Sequence, residues 1–153
     1  MKKNDRMPSE TEWLVMETIW NSGSSLTSAE IIERLKQVGG RPGFAGEEDT
    51  SLQDVSRELA PKTVRVLVSR LCQKGLLDYT IDAQDSRVYH YFATKTREEC
   101  LREKSRHFVD SYFSGSGSGA VAALIQNMEL SDKERQELQE ILEKGAGMEY
   151  ELG

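Results

Sequence analysis

The residues with the most distinctive chemistry lie between positions 57 and 74, where five cations accompany one carboxylate. Apolar residues recur there at i, i+3, i+4 and i+7, which predicts an amphipathic helix over 61–74. The opposite face collects Lys62, Arg65, Val66, Ser69 and Gln73. Lysine and arginine neutralise phosphates, arginine also pairs with guanine, hydroxyl and amide groups bind base edges, and an apolar side chain can contact thymine. This face therefore has the composition of a DNA-reading helix.

Further polar residues near this face extend the candidate set. Arg70 lies on the shoulder of the helix, where a structural ion pair and a phosphate contact are equally good interpretations. Arg87 lies in a later polar connection and is either a phosphate contact or a turn charge. The full predicted DNA-contacting set is Lys62, Thr63, Arg65, Val66, Ser69, Arg70, Gln73, Lys74 and Arg87.

Two helices are predicted to precede the basic helix and to support it. Ser9 to Glu12 and Thr27 to Glu30 are capping boxes, in which a hydroxyl and a carboxylate satisfy free backbone N–H groups. Trp13 and Trp20 belong to the apolar stripe of the first helix, and we interpret both as core residues. The stretch 39–56 has no periodicity and is predicted to be a long inserted surface loop.

The ends of the basic helix and the segment after it complete a recognisable arrangement. Pro61 suits a first helical turn and Gly75 a left-handed stop, whereas Ala60 lacks a capping hydroxyl. Alternation over 77–81 and strand-forming residues over 88–92 predict a β-hairpin. Three short helices followed by a hairpin predict a winged helix-turn-helix domain.

The second half of the chain is predicted to be helical. Helices are expected over 97–113 and 120–128 and after Ser131, with a flexible break over 114–119. The predicted fold class is mainly α with a small β-hairpin, comprising a winged helix-turn-helix domain over 1–95 and a helical dimerisation domain over 96–153. The apolar residues of this second part are too many to remain exposed, which favours a self-complementary dimer interface. The candidate dimerisation residues are Phe108, Tyr112, Val121, Leu124, Ile125, Leu138, Ile141 and Leu142.

Taken alone, the net charge of −6 argues against a polyanionic partner. The acidity is uneven, however, because residues 1–95 carry a net charge of −1 and residues 96–153 carry −5. The basic N-terminus is not followed by an apolar stretch, and no segment is long and apolar enough to span a bilayer. We therefore expect a soluble, cytoplasmic protein without membrane insertion.

Catalytic and metal-binding functions find little support. Cys72, Cys100, His90 and His107 do not stand at metal-ligand spacing, and no nucleophile–base pair can be assembled. We expect no cofactor, no metal and no enzymatic activity. The alternative to DNA binding is a winged helix that serves as a protein-interaction module.

Four strings carry a resemblance over nearly the whole chain. They are Glu12-Trp13-x-x-Met16-x-x-Ile19-Trp20, Pro61-Lys62-Thr63-Val64-x-x-Leu67-x-x-Arg70-Leu71-x-x-Lys74-Gly75, Tyr89-x-Tyr91, and Leu130-Ser131-x-x-Glu134-x-x-x-Leu138-x-x-Ile141-Leu142. With them the sequence resembles the penicillinase repressor family of winged-helix transcriptional repressors. The resemblance implies a homodimer that binds an inverted-repeat operator in double-stranded DNA and represses a resistance or stress operon. It also implies release through a membrane sensor protease pathway, with cleavage in the helix that contains residues 107–111.

Overall fold

A computed structural model describes residues 6–38 and 59–152, with side chains over 6–37 and 59–145. The predicted loop over 39–56 lies outside the described residues. The elements are α1 (Glu10–Ser22), α2 (Ser28–Val38), α3 (Pro61–Gln73), β1 (Leu77–Ile81), β2 (Tyr89–Ala93), α4 (Arg97–Phe113), α5 (Gly117–Gln126) and α6 (Asp132–Leu152). The predicted fold class, mainly α with a small β-hairpin, is confirmed.

Both N-terminal capping boxes form as predicted. The Ser9 hydroxyl accepts the N–H of Glu12, and the Glu12 carboxylate accepts the N–H of Ser9. Thr27 and Glu30 exchange the same two bonds at the start of α2. Four backbone donors that would otherwise be free are thereby satisfied, so the sequence sets where α1 and α2 begin.

The basic helix α3 begins without a side-chain cap. Ala60 has extended backbone angles and forms no side-chain capping bond, while Pro61 occupies the first turn. At the other end, Gly75 adopts a φ of +78°. Glycine adopts this left-handed conformation at little cost because it has no Cβ. The buried stripe consists of Val64, Leu67, Val68 and Leu71, as the periodicity predicts.

One hydrophobic core joins the three N-terminal helices. Met16, Ile31 and Leu71 are completely buried within it. Trp13 and Trp20 pack against the core, and their rings meet edge to face with centroids 5.2 Å apart. The Trp20 indole also donates to the Lys95 carbonyl at 2.9 Å, which ties α1 to the chain leaving the hairpin. Both tryptophans therefore pack against the core from the apolar stripe of α1, and each remains partly exposed.

The hairpin is antiparallel, with Leu77 opposite Ala93 and Ile81 opposite Tyr89. Leu26, just before α2, adds a bridge to the outer side of β2. Its N–H donates to the Tyr91 carbonyl at 2.9 Å, and the Tyr91 N–H donates back at 2.8 Å. This bridge, which no sequence pattern indicates, fixes the hairpin beside the start of α2. Three helices and this hairpin form a winged helix-turn-helix.

By their internal contacts the residues form two compact units, Met1–Lys104 and Ser105–Gly153, and the division falls within α4. The second unit contains the end of α4, α5 and α6. A capping box of Ser131 and Glu134 precedes α6. No helix among the described residues is both long and apolar enough to cross a membrane.

The prediction of a break over 114–119 is wrong in its length, because the observed break between the two helices is shorter. Helix α5 begins at Gly117, because the Ser116 hydroxyl accepts the Gly119 N–H at 3.0 Å and so caps the helix. Only Ser114 to Ser116 separate it from α4, with Ser114 and Gly115 in the left-handed region. The glycines therefore do not keep the helix from starting, since a serine cap offsets part of their low helix propensity.

Candidate nucleic-acid interface

The outward face of α3 carries its predicted side chains on the surface. Arg65, Val66 and Ser69 are exposed near the middle of the helix, and Val66 retains 44% of its surface. Lys62, Thr63, Arg70 and Gln73 are exposed as well. Because the apolar stripe is buried on the other side, this face is fixed toward solvent by the core.

Arg70 is exposed near the C-terminal end of α3. Among the residues that the structure describes, no carboxylate lies within 4.0 Å of its guanidinium, so the structural ion pair does not form there. Its backbone carbonyl accepts the Lys74 N–H at 2.9 Å, an ordinary helical bond in the last turn.

Lys74, by contrast, is engaged inside the chain. Its ammonium donates to Glu12 Oε1 at 2.5 Å and to the Met7 carbonyl at 3.0 Å. Glu12 is buried, with 2% of its side chain exposed, and Lys74 retains 24%. Burial raises the pKa of Glu12, but hydrogen bonds from Lys74 and Ser9 and the lysine charge lower the pKa more, to below its usual value. This pair links the C-terminal end of α3 to the start of α1.

Arg87 extends from the turn of the hairpin and is 88% exposed. Asp85 holds it through three bonds, accepting the Arg87 N–H at 3.0 Å, Nε at 3.1 Å and Nη2 at 3.2 Å. The hydrogen bonds from the Arg87 side chain and backbone lower the pKa of Asp85. The pairing with Asp85 thus gives the guanidinium a defined orientation, and most of its surface remains in contact with solvent.

Arg65 and Arg87 line one surface groove of about 660 Å³. The first turn of α2 contributes Thr27, Ser28 and Ala29 to the same groove, and Tyr89 and Tyr91 line it from the hairpin. Two guanidinium groups and the hydroxyls of Thr27 and Ser28 suit an anion, because all of them can donate hydrogen bonds to negative groups. Residues of α2, α3 and the hairpin thus line one groove that contains two arginines.

Sequence reasoning missed several residues of this groove. By sequence, Thr27 and Ser28 belong to a helix cap, and Tyr89 and Tyr91 belong to a strand and to a string of the family, with no binding role predicted for any of them. The bridge from Leu26 to Tyr91 brings these segments together, and it depends on two residues far apart in the chain. The alternation of the hairpin could have indicated a shared aromatic face, where Tyr79 and Tyr89 now stack at 4.5 Å.

All eight candidate dimerisation residues are exposed within the chain. The most exposed are Tyr112 at 75% and Ile141 at 63%, while Leu138 is the least exposed at 36%. Met128, which was not in the candidate set, is 55% exposed. Among the described residues, nine large apolar side chains are exposed in the second unit and five in the first.

The comparisons with known proteins decide the family. The model of the penicillinase repressor family matches residues 49–144, which is more than half of the chain. The chain belongs to the penicillinase repressor family. The resemblance seen in the sequence is thus confirmed. The expectation of a transcriptional repressor and not an enzyme is confirmed as well, because the family is one of transcriptional repressors.

Individual relatives align over almost their whole length. The methicillin resistance regulatory protein MecI of Mammaliicoccus sciuri is 26% identical over 136 residues, which cover 89% of this chain and 93% of the relative. The penicillinase repressor of Bacillus licheniformis is 27% identical over 144 residues, covering 94% of each. Among solved structures, the adhesin competence repressor AdcR of Streptococcus pyogenes aligns at 16% identity over 96% of this chain and 84% of its own, with a TM-score of 0.43.

Proposed function

We propose that this member of the penicillinase repressor family is a homodimeric repressor that binds an inverted-repeat operator in double-stranded DNA. The observation that carries the proposal is the outward face of α3, where Lys62, Arg65, Val66 and Ser69 are exposed together above a buried apolar stripe. These are the residue types that contact phosphates and base edges when a helix enters the major groove.

The groove between α2, α3 and the hairpin supports the same proposal. Arg65 reaches it from the recognition helix and Arg87 from the wing, so a phosphate there would meet two cations. Lys74 is not part of the proposed contact set, because its ammonium is bound to Glu12 and Met7. The proposed set is therefore Lys62, Thr63, Arg65, Val66, Ser69, Arg70, Gln73 and Arg87.

DNA binding is tested with duplexes selected from a random library by the full-length protein. We expect an enriched inverted repeat, and an affinity for it that falls roughly 1000-fold or more between 50 and 200 mM salt if about six or more phosphates are neutralised. A scrambled duplex of the same length is the control and should bind far more weakly. Absence of both enrichment and salt-dependent binding would instead favour a protein-interaction module.

The dimer proposal is supported by the exposed apolar residues of α5 and α6. Val121, Leu124 and Ile125 remain more than 40% exposed on α5, and Ile141 and Leu142 remain more than half exposed on α6. Patches of this kind are characteristic of protein–protein interfaces. A two-fold dimer would also present two recognition helices to the two halves of an inverted repeat.

The oligomeric state is tested by sedimentation equilibrium at micromolar concentration, where we expect twice the chain mass of 17.3 kDa. Ile141→Lys should weaken the dimer on the order of 100-fold, because it places an unpaired charge in the interface. Gln136→Lys is the matched control, since at 100° per residue it lies on the opposite side of α6 and should leave the dimer intact. A monomeric wild-type protein would refute the dimer.

Release from the operator is proposed to follow an upstream signal such as proteolysis, in a resistance or stress operon. The name of the Mammaliicoccus relative, a methicillin resistance regulatory protein, supports this assignment. The segment proposed for cleavage includes His107, Phe108 and Ser111, all of them exposed on α4.

A further inference from the structure

The turn of the wing is built around one acidic residue, Asp82. Its Oδ2 accepts the backbone N–H groups of Gln84 at 2.9 Å and Asp85 at 3.0 Å. Its Oδ1 lies 2.9 Å from His90 Nε2, on the opposite strand of the hairpin. Both carboxylate oxygens are therefore held, one by the turn and the other by β2.

The backbone of the turn closes around this carboxylate. The Asp82 N–H donates to the Val88 carbonyl at 2.9 Å, and the Val88 N–H donates to the Asp85 carbonyl at 3.0 Å. The side-chain bond to His90 and the N–H groups of Gln84 and Asp85 lower the pKa of Asp82. Asp82 is thus a charged carboxylate at neutral pH that organises the turn, as aspartate commonly does in such turns.

A second carboxylate, that of Asp85, connects Asp82 to Arg87. Asp85 is fixed at its N–H by Asp82, and its own carboxylate accepts the Arg87 N–H, Nε and Nη2. The same arginine lines the groove with Arg65. Three consecutive sets of hydrogen bonds therefore run from His90 through Asp82 and Asp85 to Arg87.

We propose that Asp82 is a positioning residue for DNA binding, whose carboxylate fixes the wing turn from which Asp85 directs Arg87 toward the groove beside Arg65. This inference rests on the proposed DNA-binding function and adds a role for an acidic residue within it. By charge alone, Asp82 should repel a phosphate backbone. By geometry, it orders Arg87 before binding and so reduces the entropic cost of immobilising this long side chain on DNA. The proposal is that the geometric effect is larger than the repulsion.

Substitution of Asp82 separates the two effects because they have opposite signs. We expect Asp82→Ala to weaken binding to the selected duplex about tenfold and to reduce the salt slope by roughly 0.9, the value for one phosphate contact. Asp82→Asn should restore binding to within about threefold of wild type, since an asparagine oxygen can accept the same turn N–H groups.

A double-mutant cycle gives the second readout. If Asp82 acts through Arg87, the double variant Asp82→Ala/Arg87→Ala should bind no more than about twofold worse than Arg87→Ala alone. Glu98→Ala is the control for charge removal, because Glu98 is an exposed carboxylate on α4, outside the wing. It should change the affinity by less than about twofold.

The results that would overturn the proposal are distinct from those that would overturn the function. Tighter or unchanged binding by Asp82→Ala, while wild type binds DNA with a steep salt dependence, would leave the function intact and refute the positioning role. Additive losses in the double variant would also refute it. A wild-type protein that binds no duplex would refute the function and the positioning role together.

Discussion

Replacing Lys62 and Arg65 together by alanine is expected to weaken binding to the selected operator at least about a hundredfold. Each arginine or lysine that pairs with a guanine edge contributes about 1–3 kcal/mol of discrimination, and each phosphate contact adds a salt-dependent part. Both side chains are exposed on the outward face of α3, so their truncation leaves the buried stripe unchanged. The loss should therefore appear in affinity and not in folding.

The measurement is an equilibrium titration of a labelled duplex at several salt concentrations. We expect the salt slope to decrease by up to about 1.8, the value for two lost phosphate contacts. Arg102→Ala/Arg106→Ala is the matched control, because it removes two exposed cations from α4 instead of α3. An affinity within threefold of wild type for the α3 variant would show that the recognition helix has been wrongly assigned.

The features predicted from sequence are those that depend on neighbouring residues. The capping boxes of Ser9 and Thr27 each involve a carboxylate three positions away, and both form. The stripe of α3 repeats every three or four residues, which fixes the outward position of Arg65. Such local patterns set the helices and the face of α3 without any knowledge of the fold.

The features that sequence could not predict depend on residues distant in the chain. The bridge between Leu26 and Tyr91 has no local signal, because each residue is compatible with several partners. Likewise, Lys74 resembles the cations of the DNA-reading face until its partner Glu12, which is 62 positions away, is known. The composition of the groove and the division between binding and structural cations therefore required the fold.

Lys74→Met is expected to destabilise the protein by roughly 3 kcal/mol, because it leaves the Glu12 carboxylate buried without its cation. Breaking a buried ion pair costs about 3–5 kcal/mol. The lower value applies here because Lys74 keeps 24% of its side-chain surface in solvent. Urea unfolding at pH 7 measures the loss. Glu12→Gln/Lys74→Met removes both charges and should lose less stability than Lys74→Met alone. An equal or greater loss in the double variant would contradict this account of the pair.

The pH dependence gives the sharper test, because its sign should reverse. In wild type the pKa of Glu12 is below its usual 4.5, so the pair stabilises the fold above that pH, and the stability is lost as the pH falls through the folded-state pKa. Without Lys74, burial should raise the pKa of Glu12 above the unfolded value. Acidification from pH 7 toward 5 should then stabilise Lys74→Met relative to wild type. If the free energies of unfolding of wild type and Lys74→Met changed with pH in parallel, Glu12 would not be a buried charge that depends on Lys74.

The same variant also separates structure from DNA binding. Because the Lys74 ammonium is bound to Glu12 and Met7, it is not expected to contribute a phosphate contact. At a temperature where Lys74→Met remains folded, it should therefore bind the selected duplex with an unchanged salt slope, unlike the double variant of Lys62 and Arg65. A slope reduced by about 0.9 would return Lys74 to the DNA-contacting set. An unchanged slope would mean that Lys62 and Lys74 differ in function, because only Lys74 meets a buried carboxylate.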